Sequence, residues 1–204
     1  MEGIKNLIID FGGVIVNLKR GRCIEQFAGL GIVDVLDQFD GAYRIKDIFI
    51  QLEQGSISSA QFRDGVRKLT TKSLSDKQID NAWISMLDDV SSSKLKSLLK
   101  LRKHYQTMLL SNTNEIHWNY SLKTFFSHGN HEVIDYFDKI YLSYLLHMLK
   151  PSQEIYEFVL SDARIRPEET LFIDDSPANC RAAEKLGIRT YTPTPHEDWP
   201  KLFI

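Results

Sequence analysis

An apolar run, Ile4-Lys5-Asn6-Leu7-Ile8-Ile9, stops on Asp10 and is followed by Phe11-Gly12-Gly13-Val14. Near the other end of the chain, Thr170-Leu171-Phe172-Ile173 runs in the same way into Asp174-Asp175-Ser176. At neutral pH a carboxylate such as Asp10 is ionised and is a competent oxygen nucleophile. Its natural electrophile is a phosphorus whose surrounding charge has been neutralised. Acids brought this close repel one another unless a cation lies among them. Asp10 and Asp175 are therefore expected to hold Mg²⁺ through oxygen ligands, with water and a substrate phosphate completing an octahedron. Lys150 would bring positive charge to the phosphoryl oxygens or to the nucleophile. Ser111, Asn112 and nearby main-chain N–H groups offer donors to the remaining oxygens.

Each of these residues is ordinary by itself: an aspartate after a strand is commonly a turn residue, and a lysine before proline is commonly solvated. Their meaning depends on the elements that place them. Residues 105–110 read as a buried strand that ends on Ser111-Asn112-Thr113-Asn114, residues 139–143 as a third strand, residues 171–173 as a fourth and residues 188–191 as a fifth. Lys150-Pro151 opens a helix, with Pro151 in the first turn and Ile155, Phe158 and Val159 facing a core. The helix after the fourth strand has Ser176 as cap, Pro177 in its first turn and Gly187 just past its end. Strands alternating with helices predict a parallel sheet covered on both faces and joined by right-handed crossovers. In such a sheet the carboxyl ends of the strands share one edge. Asp10, Ser111-Asn112, Lys150 and Asp174-Asp175 are all expected there.

Between about residues 20 and 100 the texture changes. Apolar residues recur at three- and four-residue spacing: Ile24, Phe27 and Ala28; Ile45, Ile48, Phe49 and Leu52; Phe62, Val66 and Leu69; Ile79, Trp83, Met86 and Leu87. Gly29/Gly31, Gly55-Ser56 and the stretch 73–76 break the pattern, with Ser75 or Asp76 as a helix cap. A further helix starts at Ser91-Ser92-Ser93 with Leu95, Leu98, Leu99 and Leu101 as its apolar positions. Tyr43, Phe49, Phe62 and Trp83 are read mostly as core of this helical block, one or two of them lining a pocket. Lys19, Arg20 and Arg22 follow its entrance closely enough to meet a phosphorylated ligand.

The chain of 204 residues is 43% hydrophobic and 25% charged, as expected of a soluble globular protein with one core domain and a smaller insertion. A net charge of -2, with Lys and Arg scattered among Asp and Glu, argues against nucleic-acid binding. The longest apolar stretch, residues 140–149, is interrupted by Ser143 and His147 and is too short to cross a bilayer. No signal peptide is read in residues 1–10, and the expected location is cytoplasmic. The two cysteines, Cys23 and Cys180, are expected to be buried thiols rather than a disulfide. His128 and His131 around Gly129-Asn130 read as a polar loop ahead of a metal site, and His147 as part of the loop that leads to Lys150.

Four motifs in order resemble those of the haloacid dehalogenase-like (HAD) hydrolases with a helical cap inserted after the first motif. They are Asp10-Phe11-Gly12-Gly13-Val14; Leu109-Leu110-Ser111-Asn112; Lys150-Pro151; and the run from Phe172-Ile173-Asp174-Asp175 through Asn179 to Ala182-Ala183 and Gly187. The resemblance covers nearly the whole chain. It implies a doubly wound parallel α/β core of residues 1–15 and 91–204, with residues 16–90 as an all-helical cap that closes over the crevice and selects substrate. It also implies that Asp10 forms an aspartyl-phosphate and binds Mg²⁺, and that the Gly12 carbonyl and Asp175 are further ligands, with Asp174 bound directly or through water. Ser111 and Asn112 would clamp the phosphate, and Lys150 would steady the nucleophile.

The pattern departs from the family at Gly12. Family phosphatases usually carry there a second aspartate, which protonates the leaving group and then activates water, work typically worth roughly 10²–10⁴ in rate. Relatives with glycine at this position include small sugar-phosphate phosphatases. The expected activity is therefore Mg²⁺-dependent hydrolysis of a small phosphorylated metabolite, a sugar phosphate by preference. The alternatives are a phosphate-binding or regulatory protein with little turnover and, behind both, a haloacid dehalogenase. The dehalogenases work without Mg²⁺, and the Asp174-Asp175 pair disfavours them.

Overall fold

A computed structural model describes residues 2–32, 46–127 and 131–203; the readings at Tyr43, Ile45, His128, Gly129 and Asn130 lie outside them. The sheet contains β1 (Asn6–Ile9), β2 (Gln106–Ser111), β3 (Lys139–Leu142), β4 (Thr170–Ile173) and β5 (Arg189–Tyr191). All neighbours are parallel, in the order β3-β2-β1-β4-β5. The fold is thus the doubly wound α/β architecture the alternation of elements predicts. β1 is hydrogen-bonded on both sides and buried along its whole length, which accounts for its apolar sequence. Its one polar member, Asn6, donates through Nδ2 to Thr170 Oγ1 at 3.2 Å.

Alternate residues of the strands divide between two cores, as the twofold strand period requires. Ile8, Met108, Leu110 and Phe172 face Ile155, Tyr156 and Val159 of the helix Gln153–Ala163 and Ala183 of the helix Pro177–Glu184. Leu7, Ile9, Leu109 and Ile173 face the opposite core, where Leu95 and Leu98 of the helix Ser92–Leu101 and Ile116 and Trp118 of the helix Glu115–Thr124 are buried. In chain order the helices are α1 (Arg20–Gly29), α2 (Lys46–Glu53), α3 (Ser59–Arg67), α4 (Asp76–Ile84), α5 (Ser92–Leu101), α6 (Glu115–Thr124), α7 (Val133–Tyr136), α8 (Ser143–Leu146), α9 (Gln153–Ala163) and α10 (Pro177–Glu184).

Helices α1 to α4 follow β1 as one block. Phe49 of α2 is its hub, with ring centroids 5.8 Å from Phe27, 5.2 Å from Phe62 and 4.7 Å from Trp83. Capping boxes start two of these helices, Ser58 with Gln61 at α3 and Ser75 with Gln78 at α4, so Ser75 is the cap and Asp76 the first helical residue. Arg63 joins α3 to α4 by a two-pronged contact with Asp80, each bond 2.8 Å. The chain enters and leaves the block side by side: Asn17 N–H donates to Asp89 C=O at 3.0 Å, and Asp88 N–H to Asn17 C=O at 2.9 Å.

Three local expectations are corrected. Pro151 precedes α9 instead of occupying its first turn, because Ser152 N–H closes a turn on Leu149 C=O at 2.9 Å and the helix starts at Gln153. Phe158 is 37% exposed, lying edge-on to Tyr141, while Tyr156 takes the inward position. A phenol tolerates that depth because its hydroxyl donates to Asn179 C=O at 3.0 Å. Ser143 begins α8 instead of ending β3, since its hydroxyl is drawn to Thr113 and Glu53. Both cysteines are free and buried. Among the described residues no helix is long and apolar enough to cross a membrane.

The block is fastened to the sheet edge just after α2. His147 Nδ1 donates to Gln54 C=O at 3.1 Å, and Gly55, at φ +70°, lies directly against the Tyr144 carbonyl. A side chain at Gly55 meets both a disfavoured φ and a rigid main-chain oxygen. Gly55→Ala is expected to destabilise the protein by about 1–3 kcal/mol, the usual cost of such strain. Thermal unfolding of the variant beside the wild type measures it.

Candidate active site

The register places the acids. Ile9 pairs with Ile173 on one side and with Leu109 on the other, so Asp10 and Asp174 leave the sheet abreast, level with Leu110, while β2 runs on to Ser111. Asp10 N–H donates to Ile173 C=O at 2.9 Å. This is the carboxyl edge of the strands where the winding reverses at β1, the usual ligand position of such sheets.

Lys150 enters from the loop before α9, and its ammonium group is all but sealed from water. Nζ lies 2.7 Å from Asp10 Oδ1 and 2.7 Å from Asp174 Oδ2, and donates to Leu110 C=O at 3.0 Å. All three of its donors have acceptors. Burial alone would lower its pKa, but the attraction of Asp10 and Asp174 outweighs this and raises it. Asn112 holds the lysine by its main chain: Nδ2 donates to Lys150 C=O at 2.9 Å, and Oδ1 accepts from Lys150 N–H at 2.9 Å. The carboxamide expected to grip a phosphate is thus engaged in positioning Lys150.

Asp174 is fully buried. Its Oδ1 accepts from Ser176 N–H at 2.8 Å and from Asn179 Nδ2 at 3.0 Å, and its Oδ2 from Asn179 and Lys150. Asp175, by contrast, is half-buried and lines a cavity. Burial raises its pKa, and Asp174 adds to the effect, against Arg20 and Lys150. Asp10 accepts from Phe11 N–H at 2.7 Å. Burial pushes its carboxyl up to about 7, against the pull of Lys150 and with the help of Asp174 and Asp175.

Asp10, Asp174 and Asp175 each offer an oxygen, and these oxygens lie within 4.8 Å of one another. With all three carboxyls ionised, one ammonium group leaves two negative charges unmatched, a repulsion that helps to raise the pKa of Asp10 and of Asp175. An all-oxygen donor set with that deficit fits a hard divalent cation. The backbone makes room for it: at Gly13, with φ +80°, an added Cβ would overlap the Asp175 carboxylate. Gly12 differs, for a Cβ there would come nearest to the Leu18 side chain, at 3.3 Å from Cδ1.

Above the acids is a cavity of about 570 Å³. The sheet edge contributes Asp10, Gly12, Ser111, Asn112, Lys150 and Asp175, and the inserted helices contribute Arg20, Phe49, Glu53, Trp83 and Met86. Of the three basic residues at the entrance to the block, Arg20 reaches the cavity, while Lys19 and Arg22 pair with Asp88 at 2.9 and 3.0 Å. Phe49 and Trp83 line it, whereas Phe62 is wholly buried. His117 also lines it but is pinned on both sides, donating from Nε2 to Trp83 C=O at 3.0 Å with Nδ1 3.3 Å from Asn114 Nδ2. Burial holds its pKa at about 4, so the ring is neutral. His131 stands apart, 3.5 Å from Asp135. Glu53 was missed in the sequence because a polar residue on a periodic helix carries no local sign of facing a cavity.

A family model described as haloacid dehalogenase-like hydrolase matches residues 4–187. The D-ribitol-5-phosphate phosphatase of Bacteroides thetaiotaomicron is 38% identical over 196 residues, 96% of this chain and 95% of that protein. A HAD family enzyme from the same organism, solved in complex with magnesium and inorganic phosphate, superposes with a TM-score of 0.93 at 51% identity, over 98% of this chain and 100% of that one. A HAD-like family hydrolase from Porphyromonas gingivalis superposes with a TM-score of 0.90 at 34% identity, over 98% of this chain and 96% of that one.

If Gly13 makes room for Asp175, Gly13→Ala should weaken divalent-cation affinity by roughly 10–100-fold, as when a group that orients a ligand is disturbed. Titration calorimetry with Mg²⁺ measures this, and unchanged affinity would show that Asp175 does not depend on the glycine.

Proposed function

We propose that this chain, which belongs to the haloacid dehalogenase-like hydrolases, is a Mg²⁺-dependent phosphatase acting on a small phosphorylated sugar or sugar alcohol. The observation that carries this reading is the placement of Asp10 and Asp175 within reach of one cation, with Lys150 fixed against Asp10. The likeness to a D-ribitol-5-phosphate phosphatase along nearly the full length of both chains supports the substrate class. The cavity volume suits a ligand of that size.

Asp10, the Gly12 carbonyl and Asp175 would hold Mg²⁺, which when bound supplies positive charge to the phosphoryl oxygens and to the acids around it. Asp10 is the nucleophile. Phe11 N–H and Lys150 fix its carboxylate through Oδ1 and stop it from rotating away. Attack on phosphorus forms the aspartyl-phosphate as the bond from phosphorus to the ester oxygen breaks and the alcohol leaves, and water then displaces Asp10 and releases phosphate. Lys150 offsets the charge of the attacking acid. Ser111 and the main-chain N–H of Asn112 receive phosphoryl oxygens. Asp174 acts from behind by holding Lys150. Helices α1 to α4 act as the cap that shields the phosphoryl group from bulk water and shapes the far end of the cavity.

A second reading keeps the same pocket for phosphate binding without efficient turnover. What favours it is Gly12, which supplies no acid. Dehalogenation is disfavoured because it has no use for the unmatched negative charge at Asp10, Asp174 and Asp175.

Steady-state phosphate release from D-ribitol 5-phosphate and related esters, with and without Mg²⁺, separates these readings. A phosphatase releases phosphate only with the metal, and Asp10→Asn lowers the rate by roughly 10⁴-fold or more, as loss of a nucleophile does. Tight phosphate binding without release would establish the binding protein. Halide release that survives EDTA would establish the dehalogenase.

A further inference from the structure

We propose that the Glu53 carboxyl does the proton transfer for which Gly12 has no side chain. In the first step an Asp10 oxygen bonds to phosphorus, the bond from phosphorus to the leaving oxygen breaks, and that oxygen takes the proton from Glu53. In the second step the Glu53 carboxylate takes a proton from water as the water oxygen bonds to phosphorus, and the electron pair of the phosphorus–Asp10 bond returns to Asp10. Atoms balance to one alcohol and one phosphate per ester and water consumed. The inference rests on the phosphatase reading above.

Elimination among the described residues that line the cavity leads here. Asp10 and Asp175 serve the nucleophile and the ion. The ammonium protons of Lys150 are all engaged by Asp10, Asp174 and Leu110. His117 is held through Nε2 by Trp83 and is neutral near pH 7. Arg20 does not give up a proton in this range. Glu53 is the remaining acid on the cavity wall.

Glu53 is also tied to the loop that receives the phosphate. The Ser143 hydroxyl accepts from Thr113 N–H at 2.9 Å and lies within donor distance of Glu53 C=O, at 2.6 Å, and of Thr113 C=O, at 3.0 Å. Thr113 directly follows Ser111-Asn112, so one hydroxyl sets the end of α2 against the phosphate-facing loop. The contacts of Gln54 with His147 and of Gly55 with Tyr144 hold the next two residues. The side chain therefore projects from a fixed point of the main chain. Burial raises the Glu53 carboxyl to about 7, against the nearby charges of Arg20 and Lys150. A group with that affinity both gives and takes a proton near neutrality.

The test is Glu53→Gln, assayed with Mg²⁺ on D-ribitol 5-phosphate and on p-nitrophenyl phosphate, whose leaving group departs without a proton. For the polyol ester kcat should fall roughly 10²–10⁴-fold, with KM changed little. For the nitrophenyl ester a burst of one nitrophenolate per site should persist at the wild-type rate, followed by slowed turnover. Gly12→Asp in the Glu53→Gln background should restore part of the loss, since a Cβ at Gly12 comes nearest to the movable end of Leu18, at 3.3 Å. A polyol kcat within threefold of wild type, or a rise in KM alone, would overturn the assignment and leave Glu53 as a substrate-binding group. If Glu53→Gln fails to fold, Glu53→Asp decides on the first step alone: single-turnover transfer to Asp10 slowed for the polyol ester but not for the nitrophenyl ester supports the role, and equal slowing of that step for both esters overturns it. A wild-type chain that releases phosphate from neither ester would overturn the phosphatase reading itself.

Discussion

The Lys150 ammonium group lies between Asp10 and Asp174 with almost no exposure to water, and the rest of the site is arranged around that contact. Removing such charges from water costs several kcal/mol per ion, and only full hydrogen bonding and close opposite charge offset it. The fold supplies both. Three acceptors surround Nζ, the Asn112 carboxamide grips the lysine main chain from either side, and Asn179 with Ser176 N–H completes Asp174. Breaking one member of a buried pair typically costs about 3–5 kcal/mol, because a charge is left without a partner. The same arrangement that makes the edge rigid leaves Asp175 and one side of Asp10 facing the cavity with negative charge in excess. A divalent ion answers a need that folding itself creates.

The second constraint joins the inserted helices to that edge. Ser143 stands just past β3, at the start of α8, and reaches both Thr113, beyond β2, and Glu53, at the end of α2. Trp83 of α4 stacks on His117 of α6, ring centroids 4.5 Å apart, and its carbonyl receives the histidine Nε2 proton. Two helices of the block are therefore fixed to the elements that follow the phosphate-facing loop. Cavity shape and sheet edge are coupled through these few hydrogen bonds.

Much of this was legible in the sequence. β1 and β4 are buried on both faces, so each closes on three apolar residues, Leu7-Ile8-Ile9 and Leu171-Phe172-Ile173, and their ends at Asp10 and Asp174 are sharp. Caps at Ser75 and Ser91 fall where their residue types indicate, while Ser176 takes the cap position without a side-chain bond. What was less legible is where side-chain chemistry is decided by partners far away in the chain. Asn112 reads as a phosphate donor until the lysine it holds, 38 residues later, is in view. Pro151 reads as a first-turn residue, but the turn around Lys150 delays α9. Phe158 and Tyr156 exchange the positions hydrophobicity alone would give them, because the tyrosine hydroxyl has an acceptor inside. Glu53 carries no signal of its own, since its significance comes from the cavity and not from its neighbours along the helix.

In the proposed mechanism, acids from β1 and β4 share one divalent ion while Asp10 stays aimed at phosphorus. A crystal structure grown with Mg²⁺ and a tetrahedral phosphate mimic tests it most directly. The expected result is one ion bound by Asp10, the Gly12 carbonyl and Asp175, the mimic between Asp10 and Ser111, and Lys150 still in contact with Asp10. An ion held elsewhere, or Asp10 and Asp175 turned apart with no ion between them, would contradict it.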